Sequence, residues 1–387
     1  VGGIKLFRKY RKAQLINEFI KENKVEGIIA DHWKSLELIK TNKKKICLIH
    51  GKEINHEKGT SLNKRVLEVL DNIETIVANS EYTKNLAISL GVQQDKIIII
   101  NPGVDPVEEL DKKTLDKVEN LLKHKSPRLI TVSRFDKRKN HEKVIMALRN
   151  LKQIYSGIVY ICVGYGDEEE NIKKLVAELG LQPQVMFFKD ISNELKNALV
   201  AKSNIFVMPS IVHKKSVEGF GIAYVEAAQY GLPSLGGKDG GAADAIEHEK
   251  TGLICNGNEL DEVYSSINLM LENNKFHEYG KAAKESSAKF KWSTIIEEYK
   301  KRININDSSL YFIKSNNKRH NIFGLWSINL LETLENDLIK NNFRKVEEWA
   351  NKIGVKTIDV ETKKFDPFFN INTKEDFEEA KEMLKED

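Results

Sequence analysis

Short apolar runs recur along most of the chain, each closed by a polar turn and followed by a stretch with helical spacing. Runs at 27–30, 46–49, 75–78 and 96–100 alternate with helical patterns at about 33–41, 60–71 and 81–90. The last of these helices opens on Ser80 as an N-cap and closes on Gly91. Continuous apolar strands separated by helices predict a parallel sheet covered on both faces. Asn101-Pro102-Gly103-Val104-Asp105-Pro106 interrupts the pattern, and a charged helix is expected over 107–123. A second series then supplies strands at 128–132, 158–163, 185–188, 205–208 and 233–235, with helices at about 140–152, 167–179, 192–201 and 221–230. Helices at 242–247, 259–272 and 275–302 follow.

The second series reads as a complete doubly wound unit. The first, with four strands, reads as short of an opening strand and its glycine-rich turn. Ahead of it, residues 1–24 predict a basic helix with Leu6, Tyr10, Leu15 and Phe19 as an apolar stripe. From about Asp307 the chain turns Asn-rich, with a strand at 310–313, a basic Lys318-Arg319-His320, a helix over 327–341 and a charged helix from Lys374. The expectation is an α/β chain in three parts: 1–106, 107–303, and a small α+β segment over 304–387.

Composition narrows this little. With 41% hydrophobic and 30% charged residues, the 387-residue chain is of ordinary globular type. A net charge of +4 gives no reason to expect nucleic acid, and leaves a peripheral contact with an anionic membrane open. Cys47, Cys162 and Cys255 each sit in an apolar run, as expected of buried thiols in a reducing, cytoplasmic compartment. No apolar run approaches the roughly 18 residues of a spanning helix. The start at Val1, without an initiator Met, suggests a sequence cut at its amino end.

Chemistry concentrates at strand ends. Val217-Glu218-Gly219-Phe220-Gly221 leads into the helix that carries Glu226. Gly219 and Gly221 allow a tight turn close to a ligand. The two carboxylates lie about 7–8 Å apart along the helix axis. They suit two polar ends of one elongated ligand, or equally an acid at a helix N-terminus and one buried, satisfied Glu. Ser133-Arg134-Phe135-Asp136-Lys137-Arg138-Lys139-Asn140-His141 links a strand to a helix. There backbone N–H groups and the cations Arg134 and Lys139 could meet a diphosphate, whereas Lys137 and Arg138 are placed on a solvated face. The Gly236-Gly237 and Gly240-Gly241 loop offers further N–H groups, and His50 lies at a strand end where ligands bind in open sheets. The histidines have no metal-ligand spacing, so no metal and no cofactor is expected.

Taken together, His50-Gly51, Ala78-Asn79-Ser80 with Asn101-Pro102-Gly103-Val104-Asp105, Ser133-Arg134 with Lys139, and Glu218-Gly219-Phe220-Gly221 with Glu226 resemble the retaining glycosyltransferases of family four. The resemblance covers roughly residues 25–303. It implies two facing doubly wound Rossmann-like domains of the GT-B type, the first incomplete here. It also implies transfer of a sugar from a nucleotide diphosphate donor to a hydroxyl of a glycan or lipid-linked acceptor, with retention and without metal. In that scheme Arg134 and Lys139 neutralise the diphosphate and Glu218 holds the donor sugar. Glu226 holds the ribose, His50 faces sugar and acceptor, Gly219, Phe220 and Gly221 shape the donor loop, and Gly103 sits on the interdomain segment. Lys189 departs from the family's usual glycine.

The tail resembles the carboxyl end of molybdenum cofactor guanylyltransferases, through Phe323-Gly324-Leu325-Trp326 and Phe369-Asn370-Ile371-Asn372-Thr373 with Asp376. The nucleotide-binding front half of that family is absent from the sequence. Two other functions compete with transfer: a non-catalytic nucleotide-sugar-binding remnant, and a nucleotide-sugar epimerase.

Overall fold

The computed structural model describes residues 8–22, 25, 27–302, 310–315, 318–327, 330–341, 343, 345–360, 378 and 381. The chain divides into two compact units, one of residues 29–34 and 45–298, the other of 1–28, 35–44 and 299–387.

Two parallel sheets build the larger unit. The first has the order β1 (Gly27–Ala30), β2 (Lys44–Ile49), β3 (Thr75–Ala78), β4 (Ile97–Ile99), with β2–β3 and β3–β4 paired parallel. Helices α2 (Ser61–Asp71) and α3 (Glu81–Ser89) are capped by the hydroxyls of Thr60 and Ser80, as the sequence predicts for the latter. The helix expected over 33–41 is instead a single 3-10 turn at Trp33–Ser35. Trp33 is fully buried and its indole N–H donates to the Glu53 carbonyl at 2.9 Å, which fixes this segment by side-chain burial rather than by a helical ladder.

The second sheet has the order β10-β9-β8-β5-β6-β7, all parallel, from β5 (Arg128–Val132), β6 (Val159–Val163), β7 (Val185–Phe188), β8 (Ile205–Met208), β9 (Ser234–Gly237) and β10 (Gly252–Cys255). Renumbered from its own first strand, this is the 3-2-1-4-5-6 order of a dinucleotide-binding fold. Strand β10 escapes the sequence pattern because Gly252-Leu253-Ile254-Cys255 is short and opens on glycine. Alternate residues feed two cores. Leu129, Tyr160, Cys162, Ile205 and Val207 pack on one face, and Ile130, Val159, Ile161, Phe206 and Met208 on the other. The helix expected over 275–302 breaks after Ser287, because Phe290 turns inward to pack with Val104, Phe220 and Val225. All three cysteines are buried free thiols, and burial pushes those of Cys47 and Cys255 up to about 12.

The smaller unit contains α1 (Arg8–Glu22). Of its expected apolar stripe, Tyr10 and Leu15 are exposed, Phe19 is half-buried and Leu6 lies outside the described residues, while Ala13 is buried. Asn17 ties the helix to the carbonyl of Leu38 and the N–H of Lys40. A three-stranded sheet follows, order β12-β11-β13, from β11 (Leu310–Ser315), β12 (Lys318–Trp326) and β13 (Lys356–Val360). Its core of Leu310, Phe312, Leu330, Trp349 and Ala350 holds Trp326 stacked on Trp349. Residues 369–376 lie outside the described residues, so the tail's likeness rests there on sequence alone.

Candidate functional site

In a sheet of this order, the loops after the first and fourth strands part to opposite faces and leave a crevice between them at the carboxyl ends. Here those are the loops after β5 and β8, which carry the Arg134–Lys139 and Glu218 motifs. The first is a tight 3-10 turn, Lys137–Lys139, capped by Asp136, which accepts from the Lys139 N–H at 3.2 Å. Asn140 closes it in a left-handed conformation, and its amide donates to the carbonyls of Pro209 at 2.8 Å and Gly257 at 2.7 Å. The Ile211 N–H donates to the Arg138 carbonyl. The two loops are therefore stapled together through backbone groups, whatever occupies the crevice.

Glu218 is the centre of what they hold. Its Oε2 accepts from Lys139 Nζ and from Arg138 Nη1, each at 2.5 Å, and the three side chains are only 11–12% exposed. Burial lowers the Lys139 pKa, against the attraction of Glu218 and with the repulsion of Arg138. Arg138 thus does not lie on a solvated face. Lys137 is exposed, but a closed three-residue turn cannot direct all its cations outward. The signal for this was Asp136 as a cap three residues before Lys139, which marks a turn rather than a free charge run. Arg134 is not part of the triad: its side chain is 75% exposed and lies 3.6 Å from Asp136.

The Glu218 loop is pressed against the carboxyl ends of the first sheet. A Cβ at Gly219 would collide with the His50 carbonyl and the Asn79 amide, so only glycine fits that approach. The Gly219 carbonyl accepts from Ser80 Oγ at 2.5 Å, and the Asn55 amide donates to the Lys215 carbonyl at 3.2 Å. Gly221, at φ 91°, makes the left-handed turn into α5 (Ile222–Gln229). Phe220 is buried against Phe290 and anchors the loop. Gly103 packs against the Trp292 ring. The Gly241 N–H is not available to a ligand either, because it donates to the Glu218 carbonyl at 2.8 Å. Asp244, whose pKa burial raises, accepts from the Glu81 N–H at the start of α3.

His50 stands at the end of β2 and its Nε2 lies 2.8 Å from Asp31 Oδ1 at the end of β1, a partner that the sequence reading missed. Glu226 is exposed, not a satisfied buried acid. With Val132, Asn193, Lys196, Ala223 and Tyr230 it lines a cavity of about 180 Å³ between α5 and α4 (Asn193–Ala201). Among the described residues no group of three or more His, Cys, Asp or Glu could hold a metal ion. No described helix is long and apolar enough to cross a membrane.

A crevice at the switch point, facing strand ends of a second parallel sheet, defines a pair of Rossmann-like domains of the GT-B class. Residues 112–286 match the family model of glycosyl transferases group 1, and residues 5–108 match that of glycosyltransferase family 4. Among curated proteins the chain is 26% identical, over 62% of its length and 65% of the relative's, to a GDP-mannose-dependent alpha-(1-6)-phosphatidylinositol monomannoside mannosyltransferase of Mycobacterium tuberculosis. It is 25% identical, over 59% of its length and 55% of the relative's, to the amylovoran biosynthesis glycosyltransferase AmsK of Erwinia amylovora. The chain thus spans less than two thirds of the length of these relatives. In fold it is similar to Anabaena HepE in complex with UDP, with a TM-score of 0.65, 19% identity, and coverage of 76% of this chain and 81% of that one. Sucrose-phosphate synthase of Thermosynechococcus elongatus gives 0.64, 20% identity, and coverage of 77% and 78%.

Proposed function

We propose that this chain transfers a sugar from a nucleotide diphosphate donor to a hydroxyl of a glycan or lipid-linked acceptor, with retention of anomeric configuration. The observation that carries the reading is the buried Glu218, held by Lys139 and Arg138 at the switch point and packed against the strand end that bears His50. Cations beside a sugar-facing carboxylate match the two ends of a glycosyl diphosphate. Charge that grows on the leaving diphosphate is met by Lys139 and the exposed Arg134, both of which turn to it when the donor binds. Glu218 then accepts from donor hydroxyls, and His50, oriented by Asp31, faces the reacting sugar. A same-face attack in which the leaving phosphate takes the acceptor proton requires no further base. The donor class is supported by the mycobacterial relative, named for GDP-mannose, and by the UDP and UDP-glucose complexes of HepE.

Incubation with GDP-mannose, UDP-glucose and hydroxyl acceptors, read as nucleoside diphosphate release and product anomer, tests the proposal. Turnover unchanged by chelator is expected. Binding of nucleotide without turnover would instead favour a non-catalytic remnant, and conversion of donor without acceptor an epimerase.

The cavity beside Glu226 is the proposed nucleoside subsite. A carboxylate accepting from both ribose hydroxyls is worth about 1.5–3 kcal/mol. Glu226→Ala is therefore expected to raise the donor KM roughly tenfold or more with kcat nearly unchanged, since ribose binds alike in ground and transition states. An unaltered KM would remove the ribose from this position. Contact with an anionic membrane surface is proposed through α1, where Lys9 and Lys12 flank the exposed Tyr10.

A further inference from the structure

We propose that Arg138 is a positioning residue, which keeps Glu218 aimed at the donor sugar once Lys139 has turned to the diphosphate. The inference rests on the transferase reading. Glu218 Oε2 carries both Lys139 and Arg138, while no described residue bonds Oε1. Transfer sets Lys139 two tasks, since the same ammonium cannot both neutralise the diphosphate and hold the carboxylate rigid. Around the turn stand four cations, Arg134, Lys137, Arg138 and Lys139, against the two carboxylates Asp136 and Glu218. That surplus of two positive charges draws in the diphosphate, and of the two cations that hold Glu218 the one less firmly held turns to it.

Arg138 is not that cation. Its Nη1 is committed to Glu218 and its Nη2 lies 3.9 Å from Asp136. Its side chain is 12% exposed, and its carbonyl is fixed by the Ile211 N–H. Its Nε is buried with no partner among the described residues, which accords with a fork held in place by its outer nitrogens. A guanidinium does not deprotonate at such a site, whereas the Lys139 ammonium has its pKa lowered by the same burial. When Lys139 leaves, Arg138 still anchors Oε2, and Oε1 stays directed at a sugar hydroxyl. The sugar contact and the phosphate contact are thereby separated onto two adjacent cations of one turn.

The test is calorimetric titration of the whole chain with GDP and GDP-mannose, and with UDP and UDP-glucose, using the pair that the wild type binds. In Arg138→Met the affinity for the bare nucleoside diphosphate is expected to stay within about twofold, while the added affinity of the sugar nucleotide disappears and kcat falls roughly 10- to 100-fold. Arg138→Lys, which keeps charge but not the fork, is expected to recover part of the sugar increment, and it serves as the readout should the Met variant fold poorly. A tenfold loss of bare diphosphate affinity would make Arg138 a phosphate ligand and overturn the proposal. So would a sugar increment equal to that of the wild type. If the wild type binds neither pair, the transferase reading itself falls, and this one with it.

Discussion

Glu218→Ala is expected to lose transfer by about a hundredfold or more and, in the same protein, to lower stability by about 3 kcal/mol. The second effect follows from burial. Removing the carboxylate leaves Lys139 and Arg138, each about 12% exposed, side by side with no anion between them. Breaking a buried ion pair by deleting one partner is far more costly than the pair itself is worth. At this chain length the loss corresponds to roughly 4 °C in melting temperature. The deficit should also depend on pH, with a definite sign. The Lys139 pKa is already lowered by burial, and Glu218 is what opposes that shift. Without Glu218 it falls further, so above its folded value the unfolded chain binds more protons than the folded one, and stability rises with pH. The gap between variant and wild type should therefore narrow between pH 7 and about pH 9–10. Thermal melts at the two pH values check this. A variant as stable as the wild type at pH 7 would mean that the triad is not buried as described.

How much of this was legible before the structure depends on which interactions are local. The alternation of apolar strands and helices sufficed for both parallel sheets except β10, since strands buried on two faces read as continuous apolar runs. Trp33 shows the limit. Helical spacing at 33–41 reflects residues buried one by one, and only the long-range bond from its indole to Glu53 decides against a helix. The site divides in the same way. Glu218, Glu226 and Lys139 stand in recognisable motifs, whereas Arg138 sits in a run that reads as surface charge. Its burial comes from Asn140 bonding Pro209 and Gly257, partners 69 and 117 residues away. Asp31 was equally invisible, because it meets His50 only through the neighbouring position of β1 and β2 in the sheet. Phe220 stands in the same motif as Glu218, and its long-range packing on Phe290 makes it an anchor of that loop.

Lys139→Ala separates catalysis from stability where Glu218→Ala does not. Its removal leaves Glu218 paired with Arg138 at 2.5 Å, so no carboxylate is stranded and the melting temperature should fall less than in Glu218→Ala. Transfer has no such substitute. As the glycosidic bond breaks, negative charge accumulates on the leaving diphosphate, and a preorganised donor at that point is worth about 2.7–4 kcal/mol, or 100- to 1000-fold in kcat. The donor KM should rise less than kcat falls, because this charge is larger in the transition state than in the ground state. Arg134, exposed and paired only with Asp136 among the described residues, can adjust toward the diphosphate but cannot replace a buried point charge. The pH profile gives an independent reading. Lys139 must be cationic to act, and desolvation lowers its pKa, so in the wild type the alkaline limb of kcat/KM should lie below the ordinary lysine range of about 10.4. In Lys139→Arg, which retains charge at all accessible pH, that limb should disappear while part of the rate is kept. A limb that persists unchanged in Lys139→Arg would assign the titration to another group and remove Lys139 from the diphosphate.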